Sequence, residues 1–291
     1  MDWKEWIYWG RFVQIAYEMY ASNPVSPAPP SKFPEGWRLA ANVTMYPHIK
    51  SFSKQEFAGF MAQSLDDPHH QLFAFRGTAS RLDWLADFQF RLEPFDEVPG
   101  GSKTERGFSD LYRSMTISLP PSPSSAKLGS RAMPMREYLE RLPPKTRLTV
   151  TGHSLGGALA TLHAFVSASL YHEVQLVTFA SPRVGDETFI QCFHNMCINN
   201  TRIYNHPDIV PKVPPEVIGY EHVNPSVGIN SNVYPIKHSV DCFHSLNTYL
   251  YVMGADGIDI GSCYEPLPQA KESEPTEGKE ASHGKSASTT D

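Results

Sequence analysis

Apolar residues recur along this chain with two periods, one helical and one suited to buried strands. Trp3, Trp6, Ile7, Val13, Ala16, Tyr17 and Tyr20 fall near a 3.6-residue spacing, which predicts an opening helix whose apolar face covers the main core. Short apolar runs at Leu72–Phe75, Arg147–Val150, Leu176–Phe179 and Arg202–Tyr204 have the length of strands. Longer helical patterns, such as Ala158–Leu170, separate several of them. Strands that alternate with helices predict an α/β fold with a mostly parallel central sheet, helices covering its faces.

Two stretches interrupt the pattern. Asn23–Pro30 and Pro120–Ser125 are too rich in proline to form a regular hydrogen-bond ladder, and strand-like material continues on both sides of each. They read as surface insertions within one domain, residues 1–265. From about Gln269 the residues are mostly Lys, Glu, Ser, Thr and Gly, a composition that cannot offset the entropy of ordering. Residues 266–291 are therefore expected to form a disordered polar tail.

Composition narrows the classes further. Of 291 residues 41% are hydrophobic and 19% charged, enough to bury a substantial core. Lys and Arg number 25 against 31 Asp and Glu, a formal charge of −6. No basic stripe is available for a phosphate backbone, so nucleic acid is not an expected partner. No run approaches the ~20 apolar residues of a membrane-spanning helix, and Met1–Trp6 carries no basic, apolar signal pattern. The expectation is a cytoplasmic protein or one held peripherally at a membrane. The four cysteines, Cys192, Cys197, Cys242 and Cys263, match no zinc or redox spacing. Free thiols are expected, with no metal.

The sharpest chemical signal is Gly152-His153-Ser154-Leu155-Gly156, placed after a strand and before a helical run. A strained strand-to-helix turn pushes a serine hydroxyl into the open, and side chains at Gly152 and Gly156 would clash with the neighbouring strand and helix. The helix N-terminus adds N–H groups and a positive dipole end for developing negative charge. Ser154 is thus a candidate nucleophile, and His153 beside it reads as packing. Its partners should follow as an acid and then a histidine. Asp208, in Asn205-His206-Pro207-Asp208-Ile209-Val210-Pro211, is the best-placed acid, with Asp186 and Asp241 as competitors. His244, just before an apolar helical run, is the favoured base; His238 is its close rival and His222 a third candidate.

Several ordered blocks resemble the class 3 lipases, a family that includes the fungal triacylglycerol lipases. They are Phe75-Arg76-Gly77-Thr78, Trp84-Leu85-Ala86-Asp87, Gly107-Phe108, Thr151–Gly157, Ser181-Pro182-Arg183-Val184-Gly185-Asp186, Asn205–Pro215 and His244. The resemblance implies an α/β-hydrolase fold and ester hydrolysis without cofactor. It implies Ser154 as nucleophile, Asp208 as orienting acid and His244 as base, with Thr78 and Leu155 supplying the oxyanion N–H groups. The stretch between acid and histidine is shorter here than in the fungal lipases. Arg81–Phe88 places Trp84, Leu85 and Phe88 on one helical face; by position it resembles the family's lid, which turns that face to lipid, while the plainer reading is a core-covering helix. The expected activity is hydrolysis of acylglycerol esters, with phospholipase A1, monoacylglycerol lipase or feruloyl-type esterase as variants of the same chemistry. A non-catalytic lipid-binding module is the alternative of another class.

Overall fold

A computed structural model describes residues 3–46, 54–78, 90–119 and 131–267. In chain order the strands are β1 (Trp37–Met45), β2 (Glu56–Ser64), β3 (His70–Phe75), β4 (Leu92–Pro94), β5 (Lys103–Glu105), β6 (Thr116–Leu119), β7 (Arg131–Pro134), β8 (Arg147–His153), β9 (Glu173–Phe179), β10 (Asn199–Asn205) and β11 (Ser226–Ile229). Nine of them form one sheet in the order β11-β10-β9-β8-β3-β2-β1-β6-β7, and β4 pairs with β5 in a small separate ribbon. The pairings β3–β8, β8–β9, β9–β10 and β10–β11 are parallel. Those on the β2 side are antiparallel. The four strand runs expected from sequence all lie in the parallel half. The antiparallel half includes β1, where Ala41, Val43 and Met45 are buried alternately and no continuous apolar run marks the strand.

Alternation across the strands builds two cores. Phe73 and Phe75 of β3 enter one apolar cluster, while Leu72 and Ala74 enter the other on the opposite face. The helices Arg106–Arg113, Leu155–Ser169 and Glu187–Asn195 cover the first face, and Trp3–Ser22 with Leu246–Val252 cover the second. Leu155–Ser169 is buried on every side from Leu155 to Ser167, which explains its nearly unbroken apolar sequence. Trp3–Ser22 has 20 residues and so runs about 30 Å. It crosses the sheet from Glu5, bonded to Gln175 near the start of β9, to Tyr17 at the opposite edge. The opening helix does cover a core, and it also reaches the cavity described below.

Asn23–Pro30 is a loop without regular structure, as its prolines require. Pro120–Ser125, the lid-like segment with Trp84, Leu85 and Phe88, and the tail beyond residue 267 lie outside the described residues. The expectation of free thiols is corrected for one pair. Cys242 and Cys263 form a disulfide with Cα atoms 5.3 Å apart, while Cys192 and Cys197 are free. The chain folds back so that Tyr264 pairs with Ile236, which brings together sulfurs 21 residues apart in sequence. Spacing rules carry no information about such a return. Among the described residues no helix is long and apolar enough to cross a membrane.

Candidate active site

Parallel strands all end at one edge of the sheet, and three of these ends supply the candidate site. β3 runs out into Gly77 and Thr78, β8 into Ser154, and β10 toward Asp208. Register places the ends of β3 and β8 side by side, with Phe75 opposite Gly152, and β9 lies between β8 and β10, with His153 opposite Phe179 and Phe179 opposite Ile203. Ser154 adopts φ 59° and ψ −129°, a left-handed conformation that costs a non-glycine residue on the order of 1–3 kcal/mol. The turn closes only because its glycines lack side chains. A Cβ on Gly152 would lie 2.1 Å from the Gly156 carbonyl oxygen, and one on Gly156 would lie 2.4 Å from that of Phe75.

The turn aims Ser154 at His244. Oγ of Ser154 is 2.7 Å from His244 Nε2, and His244 Nδ1 is 2.8 Å from Asp208 Oδ2. All three side chains are buried, Asp208 completely. The Asp208 carboxylate accepts two further hydrogen bonds, from the Tyr249 hydroxyl at 2.8 Å and the Val210 N–H at 2.9 Å. Burial and the adjacent carboxylate hold the Tyr249 phenol protonated, well above its ordinary pKa. It is thus fixed as a donor to Asp208, while its oxygen accepts the Asn205 N–H. Asn205 in turn bonds Ser231 and the Phe243 carbonyl, so the acid's strand is tied to the histidine's segment. Such an array can take a proton from the serine and stabilise the resulting imidazolium.

Opposite the triad, the β3 exit is held by Arg76. Its guanidinium, 2% exposed, donates to the Phe57 and Gly77 carbonyl oxygens, both at 2.7 Å. It lies 3.4 Å over the Tyr20 ring and 3.5 Å from Glu56. In a trans peptide C=O and N–H point in opposite directions, so anchoring Gly77 O turns the Thr78 N–H away from Arg76. Leu155 opens the elbow helix, where the first N–H groups have no intrahelical acceptor. Thr78 and Ser154 line one cavity of about 330 Å³ together with His244, Tyr17 and Gln14.

The family model described as Lipase (class 3) matches residues 72–218, half of the chain. The chain belongs to the class 3 lipase family. Phospholipase A1-II 4 of Oryza sativa subsp. japonica is 36% identical over 206 residues, covering 63% of this chain and 50% of the relative. Secreted mono- and diacylglycerol lipase 1 of Fusarium solani is 28% identical over 188 residues, 64% of this chain and 52% of the relative. The chain spans about half the length of these curated relatives. A native Rhizomucor miehei lipase propeptide complex superposes with TM-score 0.57 at 22% identity, over 89% of this chain and 82% of that one. The fold is that of the α/β-hydrolases.

Within this lipase-family chain the rival candidates have other tasks. Asp186 caps the helix Glu187–Asn195 through the Phe189 N–H at 2.9 Å. Asp241 is exposed in the first turn of the short helix Val240–His244. His238 is exposed against the Phe243 ring. His222 donates from Nε2 to the Pro211 carbonyl at 2.6 Å, and burial pushes its pKa down to about 3. No group of three or more metal-ligating side chains occurs among the described residues. Sequence reasoning missed Tyr249, Arg76 and Tyr17. Each sits in an apolar or packed stretch where an aromatic ring or an arginine stem reads as core, and only the fold reveals what the polar tip meets.

Proposed function

We propose that this chain hydrolyses carboxylic esters of acylated glycerol through an acyl-enzyme. The observation that carries the reading is the continuous chain of hydrogen bonds from Ser154 Oγ through His244 to Asp208, at 2.7 and 2.8 Å. His244 takes the serine proton as Oγ attacks the ester carbonyl. Asp208 holds the imidazole in the tautomer with Nδ1 protonated and Nε2 free to accept. The N–H groups of Thr78 and Leu155 receive the oxyanion. His244 then protonates the leaving alcohol, and water, activated by the same imidazole, releases the fatty acid. Ser154→Ala should abolish turnover of p-nitrophenyl acyl esters and labelling by a fluorophosphonate while the far-UV circular dichroism stays unchanged. Labelling that persists in the variant would place the nucleophile elsewhere.

A second reading within this chemistry has specific support. The phospholipase A1 of Oryza sativa is more similar to this chain than the mono- and diacylglycerol lipase of Fusarium solani, 36% against 28% identity. The triad does not distinguish their substrates, because both present an acyl ester of glycerol to the same serine. Phosphatidylcholine vesicles and diacylglycerol emulsions, assayed side by side, separate the two. The same assay tests the proposed lid: with Trp84, Leu85 and Phe88 turned toward lipid, the rate should rise steeply once substrate forms a surface. A rate that only saturates with soluble ester rejects the lid. For location, the proposal is a lipid surface in a compartment oxidising enough to keep Cys242–Cys263 closed.

A further inference from the structure

One hydroxyl in the cavity takes no part in the triad. Tyr17 projects from the helix Trp3–Ser22, outside the segment 72–218 that matches the family model. Its oxygen accepts the Gly77 N–H at 2.9 Å and lies 2.8 Å from His153 Nδ1. The other nitrogen of that ring, Nε2, is 2.8 Å from the backbone carbonyl oxygen of His244. A carbonyl only accepts, so His153 Nε2 carries a proton. In the tautomer with Nε2 protonated, Nδ1 is the acceptor and the Tyr17 hydroxyl donates to it. The bonds then run in one direction: Gly77 N–H to Tyr17, Tyr17 O–H to His153, His153 N–H to His244 C=O.

This sequence of bonds joins the two halves of the site that must keep a fixed separation. Gly77 precedes Thr78, and Arg76 holds the peptide that follows Gly77 through its carbonyl. Tyr17 holds the peptide that precedes it through its N–H. A Cβ on Gly77 would lie 2.4 Å from the Tyr17 oxygen and 3.0 Å from Ser154 Cβ, so the corner is wedged between phenol and nucleophile. At the other end, His153 is 4% exposed and its ring lies 4.8 Å from that of His244. The same helix packs against the segment after His244, with Gln14 donating to Asn247 at 2.8 Å. One helix therefore touches the oxyanion side, the elbow and the base.

We infer that Tyr17 is a positioning residue for ester hydrolysis, its hydroxyl locking the Gly77–Thr78 corner and, through His153, the His244 backbone into one relative placement. The inference rests on the hydrolase reading above. It concerns geometry needed when the oxyanion forms, so its loss should fall on kcat and spare substrate binding.

Tyr17→Phe, which keeps the ring, is the direct test, with His153→Gln cutting the same chain of bonds from the other side. Each variant is assayed with a p-nitrophenyl ester, normalised to sites titrated by a fluorophosphonate, and with an alkyl trifluoromethyl ketone as a tetrahedral-adduct inhibitor. The expected result is a fall in kcat per titrated site of about tenfold, below the loss for deleting an oxyanion donor outright. KM should stay within about twofold, and the inhibitor constant should rise in step with the loss in kcat/KM. The double variant should be no worse than the poorer single one, because both remove the same connection. Unchanged kcat per titrated site, a loss confined to KM, or losses that multiply would overturn the inference. Should Tyr17→Phe not fold, His153→Gln alone is read against the same values. A wild-type protein that neither turns over any acyl ester nor reacts with the fluorophosphonate would instead bring down the hydrolase reading, and this inference with it.

Discussion

Ser154 shows how little of the site's chemistry belongs to a residue alone. A serine hydroxyl is a weak nucleophile; the elbow strains its backbone, exposes Oγ to His244 at 2.7 Å, and places the following amide at a helix N-terminus. Asp208 is the residue at which a small chemical change is most informative. It accepts from His244, Tyr249 and Val210, all donors, so a carboxylate satisfies every bond. In Asp208→Asn one amide nitrogen must face a donor, either the Val210 N–H or His244 Nδ1, and in the second placement it favours the wrong histidine tautomer. The expected outcome is a loss of roughly 10⁴-fold in kcat, with KM little changed, measured by steady-state hydrolysis of a soluble ester.

Among the elements, the segment from Val240 to Cys263 carries the base and is built from short pieces: a five-residue helix, a seven-residue helix and a 3-10 turn. Short helices have little stability of their own. Here the disulfide Cys242–Cys263 closes the segment two residues before His244, and the N–H groups of Cys242 and Phe243 are held by Ser239. A closed loop of this length contributes about 3 kcal/mol in the chain-entropy account. Cys263→Ser, or reduction by a dithiol, should therefore lower the thermal midpoint by several degrees. Thiol titration of the unreduced, denatured protein should find only Cys192 and Cys197, the two free cysteines. A count of four without reductant would refute the bond.

At the scale of the whole molecule, two kinds of buried group make stability depend on pH in opposite directions. His163, enclosed by Phe73, Phe75 and Tyr112, has its pKa pushed down by burial to about 3 from an ordinary 6.5. The unfolded chain takes up a proton below pH 6.5 that the folded one refuses, so stability is lost as pH falls through this range. Glu105 caps the helix Arg106–Arg113 and is 2% exposed; burial raises its pKa to about 7 from 4.5. Folded protein keeps that proton where the unfolded chain has lost it, so stability falls as pH rises from 4.5 to 7. Thermal midpoints between pH 4 and 8 should separate the two: His163→Leu makes the acid-side fall shallower, and Glu105→Gln removes the decline toward neutrality. The slopes carry the test whatever each variant does to absolute stability.

The chain's own pattern determined more of the catalytic half than of the rest. Central parallel strands are buried on both faces and read as apolar runs. The elbow's glycine and serine spacing lies within a single strand-turn-helix, so both were legible from local sequence, although the carbonyl that excludes a side chain at Gly156 belongs to Phe75 of β3. The order of acid and histidine was legible too, and the sequence favoured His244 over His238; the fold supplies the reason, since it is the His244 ring that reaches Ser154. Tyr17, Arg76, Tyr249 and the Cys242–Cys263 bond were decided by tertiary structure alone. Their partners lie 19 to 60 positions away in most cases and 136 for Tyr17 with His153, and a polar tip on an otherwise apolar side chain leaves no periodic trace of what it will meet.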